Sequence, residues 1–132
     1  MTRLRILPLI LYVLLIFFVS SRSGITPPGP DFVMKDKLAH VAEYSILGLL
    51  LFLNIRWAVS RSRVVTFLFL FAVGVSIAAL DELLQSYIPG RHMSMFDWLA
   101  DAVGIAAGVG LGVLIGRSIK RKSAPARRRS AA

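Results

Sequence analysis

The chain has 132 residues, 56% of them hydrophobic, a mean hydropathy of +0.70 and a formal net charge of +9. That is one domain, and it is too apolar for a soluble globular protein, so the reading is a membrane protein. The chain has no cysteine, which excludes a disulfide framework, a thiolate metal site and a cysteine nucleophile.

A transmembrane helix needs about 20 mostly apolar residues, and stretches 4–21, 38–55, 64–84 and 96–116 approach or meet that length. The first is the weakest, because its uninterrupted apolar run, 6–19, contains Pro8 and follows Arg3 and Arg5. Residues 1–21 read as an N-terminal signal-anchor, with a signal peptide as the alternative, although Val19 and Ser21 match the small-residue cleavage rule poorly. Residues 22–35 read as an outer loop in which Pro27, Pro28 and Pro30 favour extended backbone and block a helix. Helices 38–55 and 64–84 are joined by the short basic turn "NIRWAVSRSR", with Trp57 at the height of an interfacial aromatic. The next connection, "SYIPGRHMS", carries Pro89-Gly90, residue types suited to the centre of a type II turn. Helix 96–116 is followed by "RSIKRKSAPARRRSAA", a basic tail over 117–132 that reads as cytoplasmic and attracted to anionic lipid. Without aromatic interleaving or a folded basic module beside it, no nucleic-acid role is expected.

With the amino terminus inside, twelve Lys and Arg fall on the cytoplasmic side against four outside, namely Arg22, Lys35, Lys37 and Arg91. The split follows the positive-inside rule and places both termini in the cytoplasm. The seven acidic residues, Asp31, Asp36, Glu43, Asp81, Glu82, Asp97 and Asp101, and both histidines, His40 and His92, then lie toward the outer face. Any chemistry is expected there.

On a helix, Asp36, His40 and Glu43 are spaced by four and three and share a face, as do Asp81 and Gln85, and Asp97 and Asp101. At 1.5 Å per residue, Glu43 and Asp101 lie roughly 8 Å inside their helix starts. Ionisable groups within membrane helices turn toward the bundle interior or a wet cavity, so the three helices should converge through these residues. Bland readings stand beside that one. Asp97 follows Ser94 by three and could close a capping-box variant, Asp36 could be an N-cap, and His92 suits a solvated turn. Tyr44, Tyr87 and Trp98 suit packing or the interface.

Gly104, Gly108, Gly112 and Gly116 recur at four-residue spacing and continue a stripe begun by Ala100. Small residues so spaced let helices approach closely. Packing within the bundle against Gly48 and Gly74 is the preferred use, and a homo-oligomer seam is the other.

A His among carboxylates in a low-dielectric setting can act as an acid/base pair, which makes His40, Glu43, Glu82 and Asp97 the catalytic candidates. The same groups could ligate a hard metal, but one well-placed His without diagnostic spacing assigns none, and no cofactor motif is present. Arg91, with its fork of donors, would anchor a phosphate or carboxylate head group.

The stretches "DKLAHVAEYSILGLLL" and "LDELLQSYIPGRHMSMFDWLADAVGIAAG" resemble the VanZ-like family of small bacterial membrane proteins, over about 36–112. The family pattern falls on Asp36, Lys37, His40, Glu43, Tyr44, Glu82, Gln85, Pro89, Gly90, Arg91 and Asp97, with a departure at Asp101, where the family often has Asn. The four apolar stretches point to an all-α integral membrane four-helix bundle, and the resemblance implies a small multi-helix protein of the bacterial cytoplasmic membrane, with residues 36–116 as the VanZ-like domain. It also implies a link to resistance against the glycopeptide teicoplanin. Lys37, Tyr44, Gln85 and Arg91 become candidates for binding a substrate, a lipid-linked or peptidoglycan-related envelope component, alongside contact with membrane lipids. Whether the protein is an enzyme stays open between a site that binds or processes a head group and a non-catalytic module whose polar cluster is structural or partner-binding.

Overall fold

The computed structural model describes residues 3–22, 34–55 and 62–122, with side chains over 6–22, 34–55 and 62–116. These residues form four α-helices, α1 (Arg3–Ser20), α2 (Lys35–Ile55), α3 (Arg63–Gln85) and α4 (Met95–Lys122), and no strand occurs among them. The prolines at 27, 28 and 30, Trp57 and the tail beyond Lys122 lie outside the described residues.

Both ends of α3 and the start of α4 have local causes. Ser62 caps α3 from extended backbone, its side chain accepting from the Val65 N–H, so one otherwise orphaned donor is satisfied. After α3, the Arg91 N–H bonds to the Ile88 carbonyl at 3.0 Å and Gly90 adopts φ +83°. With Pro89 ahead of it, that is the type II pattern, whose third position demands the positive φ that glycine tolerates. At the start of α4 the Asp97 and Trp98 N–H groups bond back to the Ser94 carbonyl, and the helix then continues six residues past the expected end at 116, to Lys122.

Contacts between the helices set the topology. Ser20, ending α1, meets Asp81 near the end of α3, and Lys37 and His40 near the start of α2 meet Asp97 and Asp101 near the start of α4. Successive helices are therefore antiparallel, α2 and α4 run parallel, and among the described residues one end of the bundle gathers the acidic side chains. The tightest seam joins α2 to α4. A Cβ on Gly104 would stand 2.5 Å from the Val41 carbonyl oxygen, one on Gly48 would stand 2.6 Å from the Ile105 carbonyl oxygen, and Gly108 lies directly on the Ser45 backbone. The four-residue stripe is thus used inside the chain, and Gly74 receives the Ile105 side chain.

The core runs between the helices through Leu9, Ile16, Tyr44, Leu47, Leu51, Phe52, Leu70, Ala78, Ile105 and Val109. The first helix is part of it, with Ile16 fully buried. Facing outward are Leu14, Phe18, Val64, Leu68, Leu84, Val103 and Leu114, all about half exposed or more. An outer surface of this kind suits lipid rather than water. Lys35–Ile55, Arg63–Gln85 and Met95–Gly116 are long and apolar enough to cross a membrane, while the apolar part of α1, Ile6–Ser20, is shorter.

Candidate functional site

The polar end is built in three layers. At the rim, the Lys37 ammonium donates to Asp36 at 2.6 Å and also to Asp97. Lys37 and Asp97 keep 25% and 19% of their side-chain exposure, so this pair ties α2 to α4 where solvent still screens it. Asp97 is held by its own helix as well, its N–H bonding to the Ser94 hydroxyl at 3.3 Å. That is the forward half of a capping box. The reciprocal half comes from another helix, because the Ser94 N–H donates to Glu82 Oε2 at 2.7 Å.

Beneath the rim, His40 Nδ1 lies 2.8 Å from Asp101 Oδ1. Asp101 is fully buried and Glu82 is 2% exposed. His40, Glu82 and Asp101, from α2, α3 and α4, each present a ligand-type atom within 4.8 Å of the others. Among the described residues they form the group that could hold a metal ion.

Beside this lies a chain of hydrogen bonds reaching α1. Asp81 Oδ2 accepts from the Ser20 hydroxyl at 2.8 Å and from Gln85 Nε2 at 2.9 Å. Gln85 Oε1 in turn accepts from Arg91 at 3.2 Å, and the same guanidinium donates to the Arg22 carbonyl at 3.0 Å. The Arg22 guanidinium sits 4.7 Å over the Phe18 ring. Asp81 and Gln85 are buried, and these side-chain bonds offset part of the cost of placing them in an apolar bundle.

The eight candidates from the sequence thus separate. His40 and Glu82 come together, Lys37 and Asp97 form the rim, and Arg91 bridges the turn to the end of α1. Glu43 is half buried and stands outside the metal-type group, in electrostatic reach of His40, Asp81, Asp101 and Arg91. Its backbone carbonyl accepts from the Tyr12 hydroxyl at 2.9 Å. Tyr44 is fully buried with its hydroxyl beside Asp81, and Gln85 faces inward, so neither presents its polar atoms at the outer surface. Asp101, Asp81, Ser20 and Ser94 are the participants missing from the candidate list. Asp101 had a signal in its four-residue spacing from Asp97. Ser20, a single small hydroxyl at the end of an apolar run, had none.

The sequence model of the VanZ/LLP1 family matches residues 5–116. This chain belongs to the VanZ/LLP1 family. The match spans nearly all of α1 and every element that contributes to the polar end. No curated protein and no solved structure matches the chain. In chemical capacity, the site of this VanZ-family protein offers a carboxylate–imidazole pair, two cationic side chains and carboxylate oxygens with unused lone pairs. These can hold an ion, orient a polar head group or exchange a proton.

Proposed function

We propose that this VanZ-family protein is a multi-pass protein of the bacterial cytoplasmic membrane, with both termini cytoplasmic and its polar end facing outward. There it binds or processes an anionic lipid-linked or peptidoglycan-related head group. The observation that supports this most is the gathering of Lys37, Arg91, His40, Glu82 and Asp97 from three helices and a turn at one end of an otherwise apolar bundle. Charged groups in membrane helices are retained for function more often than for packing. Arg91 uses two of its nitrogens internally, and the guanidinium's five N–H donors leave others for phosphate or carboxylate. Occupying a wall-precursor head group, or altering its display, would lower susceptibility to a glycopeptide of the teicoplanin kind.

A second reading is supported by the Ser20–Asp81–Gln85–Arg91 chain, which ties α1, α3 and the turn together whether or not anything binds. In that case the protein is a non-catalytic membrane module and the cluster is structural or partner-binding. Glu82→Gln and Arg91→Lys separate the readings. Glutamine retains an acceptor for the Ser94 N–H, so α4 keeps its cap while a buried charge is removed. Lysine keeps the charge of Arg91 but lacks its fork. Native mass spectrometry with an envelope lipid extract, alongside teicoplanin susceptibility in a deletion strain, is expected to show loss of lipid retention and of function in both variants at normal membrane abundance. Full function in both leaves the structural reading in place.

A further inference from the structure

We infer that His40, Glu82 and Asp101 form a binding site for one divalent transition-metal cation of the Zn²⁺ or Mn²⁺ class. This goes beyond the head-group reading and stands without it. Three independent elements supply the ligand atoms, which lie within 4.8 Å of one another. Two atoms bonded to one such ion at about 2.1 Å stand roughly 3 Å apart. The 2.8 Å between His40 Nδ1 and Asp101 Oδ1 is a hydrogen-bond spacing, which needs to open only by roughly a few tenths of an ångström for both atoms to become co-ligands. Glu82 is oriented by the Ser94 N–H on Oε2, the kind of outer support that ligating carboxylates use.

A second observation points to the same place. Four buried side-chain oxygens have no hydrogen-bond partner among the described residues: the Tyr44 hydroxyl, Asp81 Oδ1, Glu82 Oε1 and Asp101 Oδ2. Tyr44 and Asp81 adjoin each other and interact through their side chains. The other two belong to the metal-type group. As carboxylate oxygens both are acceptors, so neither can satisfy the other. The nearby cations bond other groups, Lys37 to Asp36 and Asp97, and Arg91 to Gln85 and the Arg22 carbonyl, and neither reaches Glu82 Oε1 or Asp101 Oδ2. Two buried carboxylates left in this way are costly, and a dication coordinated by both together with the imidazole removes the cost.

The donor set selects the class of ion. One imidazole nitrogen with carboxylate oxygens suits Zn²⁺ or Mn²⁺, whereas Ca²⁺ takes six or more oxygens and Mg²⁺ keeps most of its water. The sequence assigned no metal because the ligands come from α2, α3 and α4 and have no motif spacing. The rival arrangement is a proton shared between Glu82 and Asp101.

The test uses the full-length, untagged protein in detergent micelles, stripped with a chelator and titrated with MnCl₂ under electron paramagnetic resonance, with ZnCl₂ as competitor. The expected result is one Mn²⁺ per chain, displaced by Zn²⁺, with spin-echo modulation from an imidazole nitrogen that persists in His92→Ala. His40→Ala, Glu82→Gln and Asp101→Asn should each weaken binding by about tenfold or more, whereas Asp97→Asn should weaken it far less. Absence of binding in the wild-type protein overturns the inference and leaves the shared proton. Binding without nitrogen modulation overturns it too, as does modulation lost in His92→Ala. Because the wild-type spectrum and His92→Ala carry the decision, a ligand variant that fails to fold does not obscure it.

Discussion

Replacing Gly108 or Gly104 by Ala is expected to break the bundle where replacing Gly110 does not. A Cβ on Gly104 would meet the Val41 carbonyl oxygen at 2.5 Å and the Ser45 nitrogen at 3.0 Å, while one on Gly110 meets nothing within 4 Å. The atoms in the way at Gly104 and Gly108 are mostly backbone, so they cannot swing aside as a side chain does. Restoring ordinary van der Waals contact requires α2 and α4 to separate by about 1 Å, which forfeits packing along the whole seam. Overpacking of this kind costs about 1–3 kcal/mol per site. Alanine also gains roughly 0.5–1 kcal/mol of helix propensity over glycine, so Gly110→Ala should be neutral or slightly stabilising. The contrast between the two classes is then about 2 kcal/mol or more. The same separation pulls His40 from Asp101, since Gly104 lies one turn beyond Asp101 and Val41 follows His40. The assay is reversible denaturation of the purified protein in mixed micelles, followed by circular dichroism and run on all three variants. Equal stability of Gly104→Ala, Gly108→Ala and Gly110→Ala would refute the close parallel packing of α2 on α4.

The remaining expectations concern topology and the first helix. Because the natural chain has no cysteine, single cysteines report orientation cleanly. Those at Thr26 and His92 should react with an impermeant maleimide from outside and those at Ser60 and Ser123 should not, and reversed labelling would place the polar end in the cytoplasm. Ser20→Ala removes one hydrogen bond to Asp81, which keeps its bond from Gln85. It should therefore cost about 0.5–1.5 kcal/mol, and protease access to α1 should rise. Unchanged stability and protection would show that α1 is not held to α3 through Asp81.

Much of this architecture is legible in the sequence because it depends on local physics. Apolar runs of membrane-spanning length give α2, α3 and α4 to within three residues at their starts, since a backbone in lipid must satisfy its own hydrogen bonds. Pro89-Gly90 announces its turn because only glycine readily takes the positive φ required there. The glycine stripe marks a close helix contact, and the acidic residues and histidines mark the end at which polar groups collect.

Which of those groups touch was decided by tertiary structure. Helical periodicity tells which residues share the face of one helix, but neither the rotation of that helix against its neighbours nor which neighbour it packs on. Asp36, His40 and Glu43 share a face of α2, yet it is the parallel seam with α4, seated by Gly48, Gly104 and Gly108, that turns His40 onto Asp101 and leaves Glu43 beside the group. Glu82 is adjacent to Asp81 in the chain, and successive helix positions differ by about 100°, so one carboxylate reaches Ser94 at the start of α4 while the other reaches Ser20 at the end of α1. No spacing in the sequence connects residue 20 with residue 81, because the connection exists only once α1 lies antiparallel against α2 and brings its last turn to the level of Asp81.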